Sequence, residues 1–83
     1  MNINIQTKFN VGDMVYVADL YHDFYPQKEP YLITDLRLKA NINHSYIRYE
    51  VQRDDVVQLV PEEWIFATYA DCTKWCDKRN KSL

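Results

Sequence analysis

A single glycine, Gly12, and three prolines, Pro26, Pro30 and Pro61, are all the backbone punctuation the chain carries. One glycine excludes a glycine-rich phosphate loop, which needs several residues without a Cβ. No apolar run approaches the ~18–20 residues of a membrane-spanning helix. Met1 to Lys8 lacks the charged start and apolar core of a secretory signal. The chain therefore reads as cytoplasmic, where its two cysteines, Cys72 and Cys76, are expected as thiols. Neither sign of charge dominates: ten Lys and Arg stand against twelve Asp and Glu, a formal net charge of −2. Phosphate-binding proteins carry a basic excess or a basic face, so the balance favours a protein partner over nucleic acid.

Aromatic and apolar residues are what the chain has in quantity, 14% and 47% of the sequence. Such a composition excludes disorder. A domain of this size buries only about 60–65% of its unfolded surface, so large side chains must fill a small core. Residues 1–83 read as one domain, with residues 1–8 a leader or an added edge strand through Ile3 and Ile5.

Alternation marks the strands. Phe9 and Val11 precede a turn at Gly12, and residues 13–20 form the first strand, with Val15 and Val17 facing the core. Residues 21–30 read as a long connection, because Pro26 and Pro30 disfavour a ladder. The second strand is expected over 31–38. Ile33 and Leu36 differ in parity there, which a bulge near Thr34-Asp35 reconciles. The third strand, 45–52, turns Ile47, Tyr49 and Val51 to one face and Tyr46, Arg48 and Glu50 to the other. After a turn at Arg53-Asp54-Asp55, Val56, Val57, Leu59 and Val60 make a fourth strand ended by Pro61. Glu62 to Phe66 is expected as a tight helical turn or short strand that delivers Ile65 and Phe66 to the core. Thr68 fits a helix N-cap with Asp71 in the capping-box position, opening a helix over 69–79. Tyr69, Cys72, Trp75 and Cys76 fall near one face of that helix. The basic cluster Lys74, Lys78, Arg79 and Lys81 complements the dipole at its end.

Four or five short antiparallel strands followed by one helix form a mainly β domain. A sheet this small must curl on itself or be covered by the helix, and a small barrel closed at one end by the helix meets both demands. The pattern Phe9-x-x-Gly12-Asp13-x-Val15-Tyr16-Val17, with Tyr49-Glu50-Val51 and Glu62-Glu63-Trp64-Ile65-Phe66-Ala67-Thr68, resembles the small SH3-like β-barrel proteins of bacteria and phages. The resemblance covers about residues 9–77. It implies the barrel and a phage or mobile-element setting in which a host protein is modulated. It carries no functional residue over, because the matching positions are turn and core positions.

No motif places a nucleophile beside His22 or His44, and no metal-ligand spacing joins them to Cys72 and Cys76. The chain reads as a non-enzyme with no cofactor and no metal, and the cysteines read as packing thiols. The best binding candidate is the aromatic segment holding Tyr21, Phe24 and Tyr25, with Tyr31 and Trp64 lining a groove beside it. The competing reading tucks Phe24 or Tyr25 under the loop. The leading function is a protein-binding or adaptor module. The alternatives are a nucleic-acid- or ribosome-associated module using Arg37, Lys39 and Arg48, and a structural protein that self-assembles through an edge strand.

Overall fold

The computed structural model describes residues 7–43 and 45–82. Six strands and one helix follow in chain order: β1 (Met14–Tyr21), β2 (Asp23–Pro26), β3 (Tyr31–Ala40), β4 (Ser45–Arg53), β5 (Val56–Pro61), a 3-10 turn (Glu62–Trp64), β6 (Ile65–Phe66) and α1 (Tyr69–Lys81). The sheet order is β2-β1-β3-β4-β5, and β6 pairs with β1. All pairings are antiparallel. The fold is mainly β with one C-terminal helix. The sheet does not close into a barrel: among the described residues, no strand pairs with the edge of β5 that faces away from β4.

Gly12 allows β1 to start where it does. Its φ of +99° is a conformation that a side chain disfavours. The turn directs the Gly12 N–H onto the Ile33 carbonyl at 2.8 Å, while the Asp13 carbonyl accepts from Ile33 N–H at 2.9 Å. β1 is then shared by three neighbours, β6 pairing with Tyr16 and Val17. Met14 and Val15 pair with Leu32 and Tyr31 of β3, and Ala18–Tyr21 pair with β2.

β2 replaces the connection expected over 21–30. His22 turns the chain at φ 66°, so that Tyr21 lies opposite Asp23 and Ala18 opposite Pro26. The prolines do not obstruct this hairpin. Pro26 is the last residue of an outer strand and Pro30 lies outside any strand, both tolerated positions.

The expected bulge is present. The β3–β4 register shifts between Ile33 and Asp35, and the Thr34 hydroxyl donates to the Glu50 carbonyl at 3.3 Å. The shift keeps Ile33 and Leu36 on the same side of the curved strand, where both join the main core.

Two cores use opposite faces of β1. Val15 and Val17 pack with Tyr31, Ile33, Tyr49, Val51, Val60 and Ile65, with Phe9, Leu36 and Ile47 at the margin. Ala18 faces the other way and packs with Phe24, Cys72 and Cys76, bordered by Tyr16, Trp64, Phe66 and Trp75. The helix therefore covers one face of the β1–β2–β6 region, and Ile65 and Phe66 serve one core each. Burying a large apolar side chain is worth roughly 1.5–3 kcal/mol, so the centre of β1, from Val15 to Ala18, is anchored on both faces.

The Thr68 hydroxyl accepts from Asp71 N–H at 3.1 Å, as the N-cap reading expects. The helix runs two residues beyond the expected end, to Lys81. Tyr69 departs from the expected buried face: it is 39% exposed and meets Tyr16 edge-on at 6.0 Å. Lys78, Arg79 and Lys81 fall in the last turn, where the dipole favours them. Most of the expected leader lies outside the described residues. Thr7 and Lys8 belong to no strand.

Candidate functional site

A cleft of about 260 Å³ lies at the open seam of the sheet. Val17, Ala18 and Asp19 of β1 form one wall, and Gln58, Leu59 and Val60 of β5 form the other. Trp64, delivered by the 3-10 turn after Pro61, completes the lining. The two walls lie about forty residues apart in sequence, and the path β3–β4–β5, with the return of β6 to β1, brings them together.

A polar chain borders this cleft. Tyr31 donates its phenol proton to Gln27 Oε1 at 2.8 Å. Gln27 Nε2 donates to Asp19 Oδ2 at 3.3 Å, and the Tyr25 hydroxyl donates to the same oxygen at 3.2 Å. The Asp19 carboxylate accordingly raises the pKa of the Tyr25 phenol, with smaller help from burial. The chain fixes the orientation of Asp19 at the mouth of the cleft, and Tyr25 reaches the site through it.

The aromatic residues proposed from sequence separate into two groups. Tyr21 is 72% exposed near the hairpin tip, beside the His22 ring at 4.5 Å. Tyr25 is 41% exposed, and Trp64 is half-buried in the cleft lining. Phe24 and Tyr31 go inward. Phe24 meets Trp75 edge-on at 4.9 Å and Trp64 at 5.5 Å, in the core beneath the helix. Tyr31 is 1% exposed, with Arg53 4.4 Å above its ring. Neither offers a ring to an outside partner. Trp64 couples the two regions, since one side of it meets Phe24 and another lines the cleft. Asp19, Gln58, Leu59 and Val60 are site residues that sequence reasoning did not single out.

The cationic candidates form a separate group. Arg37 lies opposite Arg48, and Lys39 lies opposite Tyr46, on the β3–β4 ladder. All four are exposed. The Arg48 guanidinium sits 4.8 Å from the Tyr46 ring centre, and Arg37 approaches Glu50 at 3.7 Å.

Cys72 and Cys76 are both buried and free. Burial, with a smaller contribution from Cys76, pushes the Cys72 thiol up to about 12, and burial also raises Cys76. Thiols held protonated in this way are poor nucleophiles and poor metal ligands. Among the described residues, no group of three or more His, Cys, Asp or Glu converges as a metal site would require. No described helix is long and apolar enough to cross a membrane.

The cleft lining supplies apolar surface, one carboxylate, one amide and one indole. That combination suits recognition through shape with a few directed polar contacts. No protein-family model, curated protein or solved structure matches the chain.

Proposed function

We propose that this chain is a small SH3-like module that binds another protein, without catalysis, at the seam cleft between β1 and β5. The observation that carries the reading is the cleft itself, lined by Trp64 and Asp19 and reached by the exposed Tyr25. Aromatic rings beside a fixed polar group are the usual anchors of a protein interface. The SH3-like reading is supported by element order. A β1–β2 hairpin, a three-stranded meander, a 3-10 turn and a short strand returning to β1 follow one another. A cytoplasmic site of action fits the unpaired thiols.

The test compares partners that co-purify with the wild-type chain against those retained by Tyr25→Ala and Tyr21→Ala. Both side chains are exposed, so the variants keep the fold. A discrete partner lost from Tyr25→Ala supports the cleft. Equal capture by all three proteins overturns it.

A second reading has one specific observation in its favour. Arg37, Lys39, Arg48 and Tyr46 share one exposed face of the β3–β4 hairpin. Cations interleaved with an aromatic ring suit a nucleic-acid backbone and its bases. Oligonucleotide binding that weakens steeply with salt supports this reading. No binding at low ionic strength removes it.

A further inference from the structure

The two outer strands of the sheet are treated differently. At β2 the helix supplies a cover. Asn80 Oδ1 accepts from Phe24 N–H at 2.8 Å, and Asn80 Nδ2 donates to the Phe24 carbonyl at 2.8 Å. The side-chain amide occupies both backbone groups, as a residue of a neighbouring strand would. Among the described residues, β5 has no such cover. Arg53 and Val56 flank a two-residue turn and form the closing pair of the hairpin. Hydrogen-bonded pairs alternate from there, so Val57 and Leu59 direct their backbone groups away from β4. Pro61, of the same parity, has no N–H to lose at that edge. Among the described residues, no turn, loop or side-chain hydrogen bond reaches the backbone of Val57 or Leu59.

Open edges in natural proteins are protected by lysines, inward charges or bulges. β5 carries none of these between Val56 and Val60. Val56, Val57 and Leu59 are 44%, 54% and 43% exposed. The charges stand at its ends instead: Asp54 and Asp55 before the strand, Glu62 and Glu63 after it. Asp54, Asp55 and Glu63 form no ion pair with any described residue, and Glu62 accepts from the Tyr49 hydroxyl and Lys8 N–H. Asp19 adds a further carboxylate in the adjoining cleft.

We propose that the free edge of β5 docks an extended segment of the partner protein, one with an apolar centre and basic residues at both ends. This rests on the binding-module reading and gives that partner its chemistry. Main-chain hydrogen bonds to Val57 and Leu59 supply affinity, as in other strand additions. The acidic ends supply selection. A second copy of this chain is the wrong occupant. Pairing two β5 strands antiparallel would set Asp54 and Asp55 against Glu62 and Glu63 of the other copy, with like charges at both ends.

The test uses the full chain labelled with 15N and two synthetic peptides. Each has an alternating valine–threonine centre; one is flanked by paired lysines, the other by paired glutamates. The expected result is binding of the lysine peptide with slowed amide exchange at Val57 and Leu59. The glutamate peptide should bind on the order of tenfold more weakly, since several exposed charge pairs contribute modestly each. A triple variant Asp54→Asn, Asp55→Asn, Glu63→Gln should erase that preference and keep the fold, because Asn tolerates the positive φ of Asp54. Val57→Pro should abolish binding while leaving the β4 ladder intact. Equal affinity for the two peptides overturns the proposal. So does binding that perturbs Trp64 and Tyr25 but leaves Val57 and Leu59 unprotected, although the cleft reading would survive. Failure of both peptides, or concentration-dependent dimerisation through β5, also overturns it, and the partner-capture comparison reads the cleft independently.

Discussion

Asn80 holds both backbone polar groups of Phe24, each at 2.8 Å, from a helix 56 residues further along the chain. The pair closes the outer edge of β2 and pins the last turn of α1 to the sheet. Phe24 is at once the ring that fills the core beneath the helix, against Trp64 and Trp75, and the backbone that the helix grips.

Removing the Asn80 amide leaves a part-buried N–H and carbonyl without partners. Asn80→Ala is therefore expected to lower stability by about 2 kcal/mol, the cost of such orphaned groups. Urea unfolding with an unchanged m-value checks this. A loss no larger than that of an ordinary surface substitution would mean that the edge is satisfied by other means.

Gly12 has open space around the position a Cβ would take, with nothing within 4 Å. Gly12→Ala is thus penalised by backbone conformation alone, at φ +99°. The expected cost is about 1 kcal/mol or somewhat more, read as a lowered melting temperature. Gly12→Asn should cost less, since Asn accepts positive φ more readily.

The fold should weaken in alkali. Burial, followed by the hydrogen bond to Glu62, pushes the Tyr49 phenol up to about 12, and burial pushes the Cys72 thiol to about 12 as well. Both groups hold their protons more tightly when folded. The unfolded chain releases them first, from about pH 9 for a thiol and about pH 10 for a phenol. Their stabilising contribution is therefore complete below pH 9 and is lost as pH rises from 9 toward 12. Melting curves should be insensitive to these two groups between pH 6 and about 8.5, then fall. Tyr49→Phe should shallow the alkaline decline.

The same burial makes a second measurement simple. Cys72 and Cys76 should resist thiol reagents in the native protein and react together on unfolding. Fast reaction of either under native conditions would contradict the packing of the helix against Ala18 and Phe24.

Much of this architecture is written in alternation. Val15 and Val17 face the main core because their parity matches across β1. The mismatch between Ile33 and Leu36 is enough to locate the bulge. Parity also accounts for Tyr31, which shares the inward register of Ile33 and so packs in the core rather than lining a groove. β2 escaped the same reading for a local reason. Its turn is made by His22 at positive φ, where glycine or asparagine would have been the signal, and Asp54 turns the β4–β5 hairpin in the same way. The cleft escaped it for a global one. Asp19 and Leu59 become neighbours through the β3–β4–β5 meander and the return of β6 to β1, and no spacing along the chain marks them. The Asn80–Phe24 clasp is likewise invisible locally, since it depends on where the helix axis lands.

Trp64 gives the most direct test of the seam cleft as the binding site. In a Trp75→Phe variant it is the single indole, and the Phe24 and Phe66 contacts of position 75 keep an aromatic ring. Acrylamide quenching of its fluorescence should fall, and its emission shift to the blue, when the co-purified partner is added. Unchanged quenching and emission on saturating addition of that partner would contradict the seam cleft as the place where it binds.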